Sequence, residues 1–253
     1  METAKQWRAL LKADLWAEWR TSETDQKKGL LAPPPEKPYD AEAVLLDLIA
    51  PDAFTVGQMP LIEAIRRRRS RRQFLREPLN LEELSFLLWA TQGVSKVIQQ
   101  EGSQVIRTLR TVPSGGARHP FETYLLINRV VGLAPGLYRY LPIEHKLLLL
   151  QAGEDIVDKV HEGSNGQFVI DSAAVFIWTA IPYRTEWRYS IVAPKIIAQD
   201  SGHLCQNLYL ACEAIGAGTC ALGAYDQAKM DRVLGVDGEE EFTIYMAPVG
   251  KTR

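Results

Sequence analysis

Ile65-Arg66-Arg67-Arg68-Arg69-Ser70-Arg71-Arg72-Gln73-Phe74 places six arginines in the seven positions from Arg66 to Arg72, broken only by Ser70. The whole chain of 253 residues holds 29 Lys and Arg against 31 Asp and Glu, so this basicity is local and needs a local cause. Three readings compete: a solvated helix end, a nucleic-acid or targeting patch, and a cage for one anionic ligand. Pro60 can open a helix through Leu61, Ile62, Ala64 and Ile65, which leaves the arginines in its last turn and just beyond. Cations there offset the negative helix end, which accounts for some of the arginines but hardly for six. An anion at this place would face the repelling end of the dipole, so it calls for bidentate guanidinium groups.

Outward from that run, composition sets the frame. With 46% hydrophobic residues the chain can bury a sizeable core. No apolar run reaches the roughly 20 residues that span a bilayer, and the N-terminus reads as lacking a signal peptide. Cys205, Cys212 and Cys220 read as reduced thiols, so a cytoplasmic protein is expected. Their spacing with His119, His145, His161 and His203 matches no zinc site, and no metal is expected.

Residues 3–20 show an amphipathic helix pattern, with Trp7, Leu11, Leu15 and Trp19 on one stripe and Leu10 and Trp16 beside it. A proline-rich connector, Pro33-Pro34-Pro35-Glu36-Lys37-Pro38, follows and favours an extended polyproline path. Residues 1–58 therefore read as a helix and arm, and 59–253 as the main domain. Asn80 and Glu83 form a capping box for a helix that Gly93 closes, with Leu84, Leu87 and Leu88 inward. Residues 94–112 read as a polar connection without pattern. Strands are predicted over 122–130, 136–140, 146–151, 173–181 and 242–249, and helices over 154–161, 194–215 and 226–234. Strands interspersed with helices point to one sheet in a mixed α/β or α+β domain.

Pro113-Ser114-Gly115-Gly116-Ala117-Arg118-His119-Pro120 is a loop rich in exposed backbone. Gly216-x-Gly218-x-x-Ala221 has the letters of a dinucleotide fingerprint but follows a helix, where the fingerprint must follow a strand. Its glycines serve better to end the long helix and to bring backbone close to something flat. Tyr183, Arg184, Trp187, Arg188 and Tyr189 form an aromatic and cationic segment that fits either a surface loop or a cover over a ligand.

Taken in order, four motifs resemble the nitroreductase superfamily of FMN-dependent oxidoreductases, and its SagB-like (thiazoline/oxazoline dehydrogenase-type) branch most. They are Arg-Arg-Ser-Arg-Arg-Gln-Phe at 68–74, Pro-Ser-Gly-Gly-Ala at 113–117, Asp200-Ser-Gly-His-Leu-Cys-Gln-Asn-Leu with the glycine run at 216–225, and Ala-Pro-Val-Gly-Lys at 247–251. The match covers about residues 60–253.

The resemblance implies an α+β sandwich with a central, mostly antiparallel sheet flanked by helices, forming a homodimer with FMN in two interface clefts. It implies that Arg68 and Ser70 hold the phosphate and ribityl oxygens, with Arg69 in the same candidate set, and that Arg72 lies near the N1/O2 edge. Pro113, Ser114 and Gly115 would approach the flavin from the partner subunit. Leu222, Gly223 and Ala224 would line the ring, Gly223 offering its N–H to N5. Lys251 and Arg253 would return to the phosphate, and Gln167 is a candidate for the pyrimidine edge. Azoline-oxidising members use a Lys-Tyr pair that this chain lacks, which leaves Tyr189 and Lys195 as candidates for proton transfer. The expected activity is hydride transfer through FMN with NAD(P)H as reductant and a small-molecule or peptide-derived ring substrate. The rival reading is a flavin-free basic patch for nucleic acid or an acidic partner.

Overall fold

The structure is a computed structural model that describes residues 5, 7–99 and 106–253, the side chain of Ile106 excepted. Its helices are α1 (Leu15–Thr21), α2 (Leu61–Arg67), α3 (Leu81–Gln92), α4 (Asp155–Gly163), α5 (Tyr183–Tyr189), α6 (Ala193–Ala214) and α7 (Gln227–Leu234). Its strands are β1 (Leu45–Asp47), β2 (Val94–Gln99), β3 (Ile106–Arg110), β4 (Phe121–Ile127), β5 (Gly136–Leu141), β6 (Lys146–Ala152), β7 (Ala174–Ala180), β8 (Ala217–Thr219) and β9 (Phe242–Lys251).

One antiparallel sheet runs in the order β1-β6-β5-β4-β7-β9-β8. β4 and β7 lie at its centre and are buried along their whole length, as the near-continuous apolar run 173–181 requires. Alternate residues then feed two cores. Leu125, Phe176 and Trp178 face Leu84, Leu87 and Leu88 of α3 and Leu204, Cys205 and Leu208 of α6. Tyr124, Leu126, Val175 and Ile177 face Ile156 and Val160 of α4 and Met230 and Leu234 of α7. Each of the fully buried leucines of α3 contributes about 1.5–3 kcal/mol by leaving water. The expected α+β fold, a sheet between helical layers, is the observed one.

Local signals explain the helix ends. Asn80 Oδ1 accepts from Glu83 N–H while Glu83 Oε2 accepts from Asn80 N–H, the capping box written in the sequence. Gly93 closes α3 with φ −57°, so a left-handed turn is not what demands glycine there. A Cβ at Gly93 would meet Trp89 Cδ1 at 2.3 Å, so close approach decides it.

Three expectations change. Of the helix read over 3–20, residues 3, 4 and 6 lie outside the described set, and the rest is a short 3-10 turn (Arg8–Leu11) and α1. The chain is extended at Lys12, which resets the phase: Trp7 and Leu11 are exposed, and Trp16 and Trp19 pack instead on Tyr189. The connection 94–112, whose residues 100–105 are outside the described set, contains the antiparallel pair β2–β3. Its side chains in β2 are mostly exposed, so no core-facing alternation marked it in the sequence. The arm also supplies edge strand β1, whose Leu46 pairs with Leu147.

The proline segment has no strand partner and is pinned through its free carbonyls. Arg139 donates to Lys37 O at 2.9 Å and Pro38 O at 3.1 Å, and Arg110 donates to Pro35 O at 2.7 Å.

Candidate functional site

α2 ends at Arg67, and Arg68 turns the chain out of the helix with φ −47° and ψ 122°. The next residues lie along the free edge of β8: Arg71 N–H donates to Thr219 O at 2.9 Å, and Ser70 forms a parallel bridge with Thr219. Neighbouring side chains on this extended segment point opposite ways. The Arg71 stem lies over Gly218, where an added Cβ would meet it at 2.4 Å. Ser70 turns the other way, its Oγ 3.1 Å from the Tyr209 hydroxyl on α6. The Arg68 guanidinium lies over the same tyrosine ring, 5.5 Å from its centroid.

The Tyr209 hydroxyl also accepts from Ala221 N–H at 2.9 Å, which ties the arginine segment to the loop after β8. Leu222 is fixed there by a backbone pair with Met246. Gly223 follows, and a Cβ built on it meets nothing within 4 Å. The side-chain amide of Gln167 donates to Ala224 O. Ser70, Arg72 and Arg253 line an open groove of about 540 Å³ with Arg71, whose buried Nε has no partner.

The loop 113–120 forms a second cluster further along α6. Asp200 accepts from Ser114 Oγ at 2.6 Å and from Gly115 N–H at 3.1 Å, while Ser114 Oγ accepts from His119 N–H at 2.9 Å. Burial raises the Asp200 carboxyl above its usual range against these two donors, which act to lower it. Burial and then Arg110 and Arg118 push the His119 imidazole down to about 3, so it is neutral. Gly116 has φ +60°, and a Cβ there would meet the Tyr189 hydroxyl at 2.7 Å. Asp200 and Tyr209 are nine residues apart, about 13 Å along the axis of α6. One chain therefore carries two separated half-sites.

The model of the nitroreductase family matches residues 65–251. A protein of that family from Methanocaldococcus jannaschii, MJ1384, is 31% identical over 201 residues, covering 77% of this chain and 95% of the relative. The chain belongs to the nitroreductase family. The trifolitoxin-processing protein TfxB of Rhizobium leguminosarum bv. trifolii is 27% identical over 136 residues, covering 51% of this chain and 36% of TfxB. A nitroreductase structure from Ralstonia eutropha JMP134 is 25% identical and matches with a TM-score of 0.64, covering 88% of this chain and 99% of that one.

As a family member the chain is an FMN-dependent oxidoreductase, and the first half-site has the chemistry that cofactor needs. Arg68, Arg72 and Arg253 make no ion pair among the described residues, and Arg71, which also lines the groove, has a buried Nε without a partner. A phosphate would meet unspent cations, and a flat ring could approach the bare backbone at Gly223.

Several residues expected at the site are engaged elsewhere. Arg69 donates to the carbonyls of Arg66 at 3.1 Å and Arg68 at 2.8 Å, which caps α2. The Lys251 ammonium pairs with Glu83, buried at the start of α3, and donates to Ile215 O at 2.9 Å at the end of α6. Lys195 donates to the carbonyls of Leu11 and Lys12 at 2.6 and 3.1 Å. The Tyr189 ring sits against Trp16 and Trp19, with its hydroxyl at the Gly116 turn. Pro113, Ser114 and Gly115 stand at the second half-site, apart from the arginine groove.

Tyr209 escaped the sequence reading. Its only signal is a large aromatic beside the apolar stripe of α6, with a polar tip that must find partners. Among the described residues no helix is long and apolar enough to cross a membrane, and no group of three or more His, Cys, Asp and Glu could hold a metal ion.

Proposed function

We propose that the FMN phosphate and ribityl oxygens lie along Arg68, Ser70 and Arg253, with Arg72 near the N1/O2 edge of the isoalloxazine and the ring against Leu222, Gly223 and Ala224. The observation that carries this reading is the Tyr209 hydroxyl. By joining Ser70 to Ala221 it makes one cradle of a cationic end and an open backbone end. Residues 59–253 form the cofactor-binding domain, and residues 1–58 are an arm laid over it.

When bound, FMN would supply hydride transfer at N5, with NAD(P)H as the reductant of a ping-pong cycle. The chain's own work is to bind and orient. Arg68 and Ser70 would hold one end of the bound cofactor, Arg72 would oppose negative charge on the reduced ring, and Gly223 would offer its backbone N–H to the ring. Gln167, held at Ala224, would border the ring's pyrimidine side.

The enzyme works as a cytoplasmic homodimer in which the 113–117 loop of one subunit meets the flavin held by the other. Two features support this. The 113–117 loop is tied to α6 at Asp200, about 13 Å along the helix from Tyr209, so it stands apart from the arginine cradle of its own chain. In addition, Leu61, Ile62 and Ile65 of α2 are 63%, 56% and 57% exposed beside an apolar groove of about 360 Å³ between α2, α3 and α6. A large apolar face of this kind suits a second copy.

The substrate is a small molecule still to be identified; the likeness to TfxB, a trifolitoxin-processing protein, supports as the second reading a SagB-like member acting on a peptide-derived or other ring. Purified protein is expected to be yellow and to take up FMN with a rise in Tm. NAD(P)H should bleach the bound flavin, and acceptors screened by reoxidation should identify the substrate. Colourless protein that neither binds FMN nor gains stability from it would defeat the reading.

A further inference from the structure

Arg118 is 8% exposed and follows the Gly116 turn by two residues. Its Nε–H donates to Arg184 O at 2.9 Å, and its guanidinium lies 4.8 Å from the Trp187 ring centroid. That stacking fixes the plane of the fork and leaves its terminal NH groups without a hydrogen-bond partner among the described residues. Arg188 reaches the same turn. A Cβ on Gly116 would meet Arg188 Cδ at 3.1 Å, and the Arg188 guanidinium lies 5.4 Å from the Tyr189 ring centroid. Arg188 also makes no ion pair among the described residues.

Two buried carboxylates at this end are already spent. Glu122 pairs with Arg184 at 2.6 Å and lies 4.0 Å from Arg139 Nε. Asp200 is held by Ser114 and Gly115. Burial first, and then the guanidinium groups of Arg107, Arg188 and Arg184, make Arg118 easier to deprotonate than a free arginine. A nine-tenths buried cation without a counter-ion is costly to fold around, and its retention beside an exposed-backbone turn calls for a charge brought in from outside.

We infer that Arg118 and Arg188 form an anion-accepting position at the Gly116 turn, and that the substrate turned over at the flavin carries a carboxylate or phosphate group seated there. The Tyr189 hydroxyl, at the same turn, lies beside the portion of substrate next to that group. The substrate part of this inference rests on the proposed function, whereas the anion position stands on the arginines alone.

The test titrates benzoate, phenyl phosphate and benzamide into the purified protein, with and without FMN, and reads thermal shift and the flavin absorbance band. The expected result is that one of the two anions binds about tenfold or more tightly than the neutral amide. Arg188→Gln, at a half-buried position without an ion pair among the described residues, is expected to abolish that preference while Tm without added ligand stays near wild type, and Arg118→Gln to do the same where it folds. A stronger response to benzoate assigns a carboxylate, and a stronger response to phenyl phosphate assigns a phosphate. Equal binding of all three, no binding of any, or a preference that survives Arg188→Gln overturns the inference. The two readings fail separately: a yellow protein indifferent to anions sinks this one alone, and a colourless protein that still prefers anions sinks only its flavin link.

Discussion

The Tyr209 hydroxyl lies 3.1 Å from Ser70 Oγ and accepts from Ala221 N–H at 2.9 Å, so one side chain of α6 holds both walls of the candidate cofactor cradle. Tyr209→Phe keeps the ring beneath Arg68 and removes both hydrogen bonds, each worth about 0.5–1.5 kcal/mol. The expected outcome is FMN affinity weakened by about tenfold with a small change in Tm. Tyr209→Leu also removes the cation–ring contact and should weaken binding further. Fluorescence quenching of added FMN measures both. Equal affinity in wild type and Tyr209→Phe would show that the two walls hold their places without the link.

The six arginines are sorted by the extended backbone that follows α2. Arg68 and Ser70 turn toward Tyr209, Arg71 lies over Gly218, and Arg69 caps the helix. Arg67 is exposed in the last turn of α2. Arg68→Ala should lose FMN affinity by a factor of ten to a hundred, the range for a lost charge-assisted bond of about 1.5–3 kcal/mol, while Arg67→Ala stays near wild type. A diffuse basic patch would instead lose equally from both.

How much of this was legible in the sequence depends on what each pattern reports. Core-facing periodicity and caps are local, so α3 with its capping box and the apolar run of β7 could be read directly. The motif order carried the family. Position within the site was harder, because long polar side chains choose partners that only the fold brings near. Lys251 meets Glu83 across 168 positions, and Lys195 meets the carbonyls of Leu11 and Lys12 across more than 180. Nothing in the spacing of charges announces such pairs. The β2–β3 pair escaped for a different reason: with mostly exposed side chains it carries no burial pattern to read.

Lys251 offers a direct check on that difference. Its ammonium neutralises Glu83, and the two side chains are only 13% and 10% exposed. Removing one partner of a buried pair leaves an uncompensated charge, an effect of about 3–5 kcal/mol. Lys251→Met should therefore lower Tm in the absence of FMN. Lys251→Met with Glu83→Gln should recover part of the loss, since no charge is then stranded. If Lys251→Met leaves the flavin-free protein as stable as wild type and weakens only FMN binding, the lysine serves the phosphate after all.

Gly223 separates fold from cofactor. Its φ lies outside the left-handed region and an added Cβ meets nothing within 4 Å, so Gly223→Ala should change flavin-free stability by less than about 0.5 kcal/mol. The methyl would stand in the space proposed for the ring. FMN binding should weaken, and the visible band of any bound flavin should shift. An unchanged affinity and spectrum would place the ring elsewhere.

The pinned proline arm makes the protein's stability depend on pH. Burial, with the neighbouring Glu144 next, pushes the Glu36 carboxyl from its ordinary 4.5 up to about 8, against the Ile143 N–H that lowers it. The folded chain therefore holds this proton between pH 4.5 and 8 where the unfolded chain has released it, and Glu36 removes stability as pH rises through that window. His119 acts with the opposite sign. Its folded value of about 3 lies below the ordinary 6.5, so its contribution is complete above 6.5 and declines as pH falls toward 3. The two slopes oppose each other between pH 4.5 and 6.5, and Glu36 is left alone on the alkaline side. Glu36→Gln keeps an oxygen for the Ile143 N–H and carries no proton to lose. Tm measured from pH 5 to 9 should fall for wild type between about 6.5 and 8 and fall less for Glu36→Gln, so the variant is the more stable at pH 8. Parallel curves would mean that Glu36 is already ionised beneath the arm, and that the carboxylate itself is what the Ile143 N–H holds.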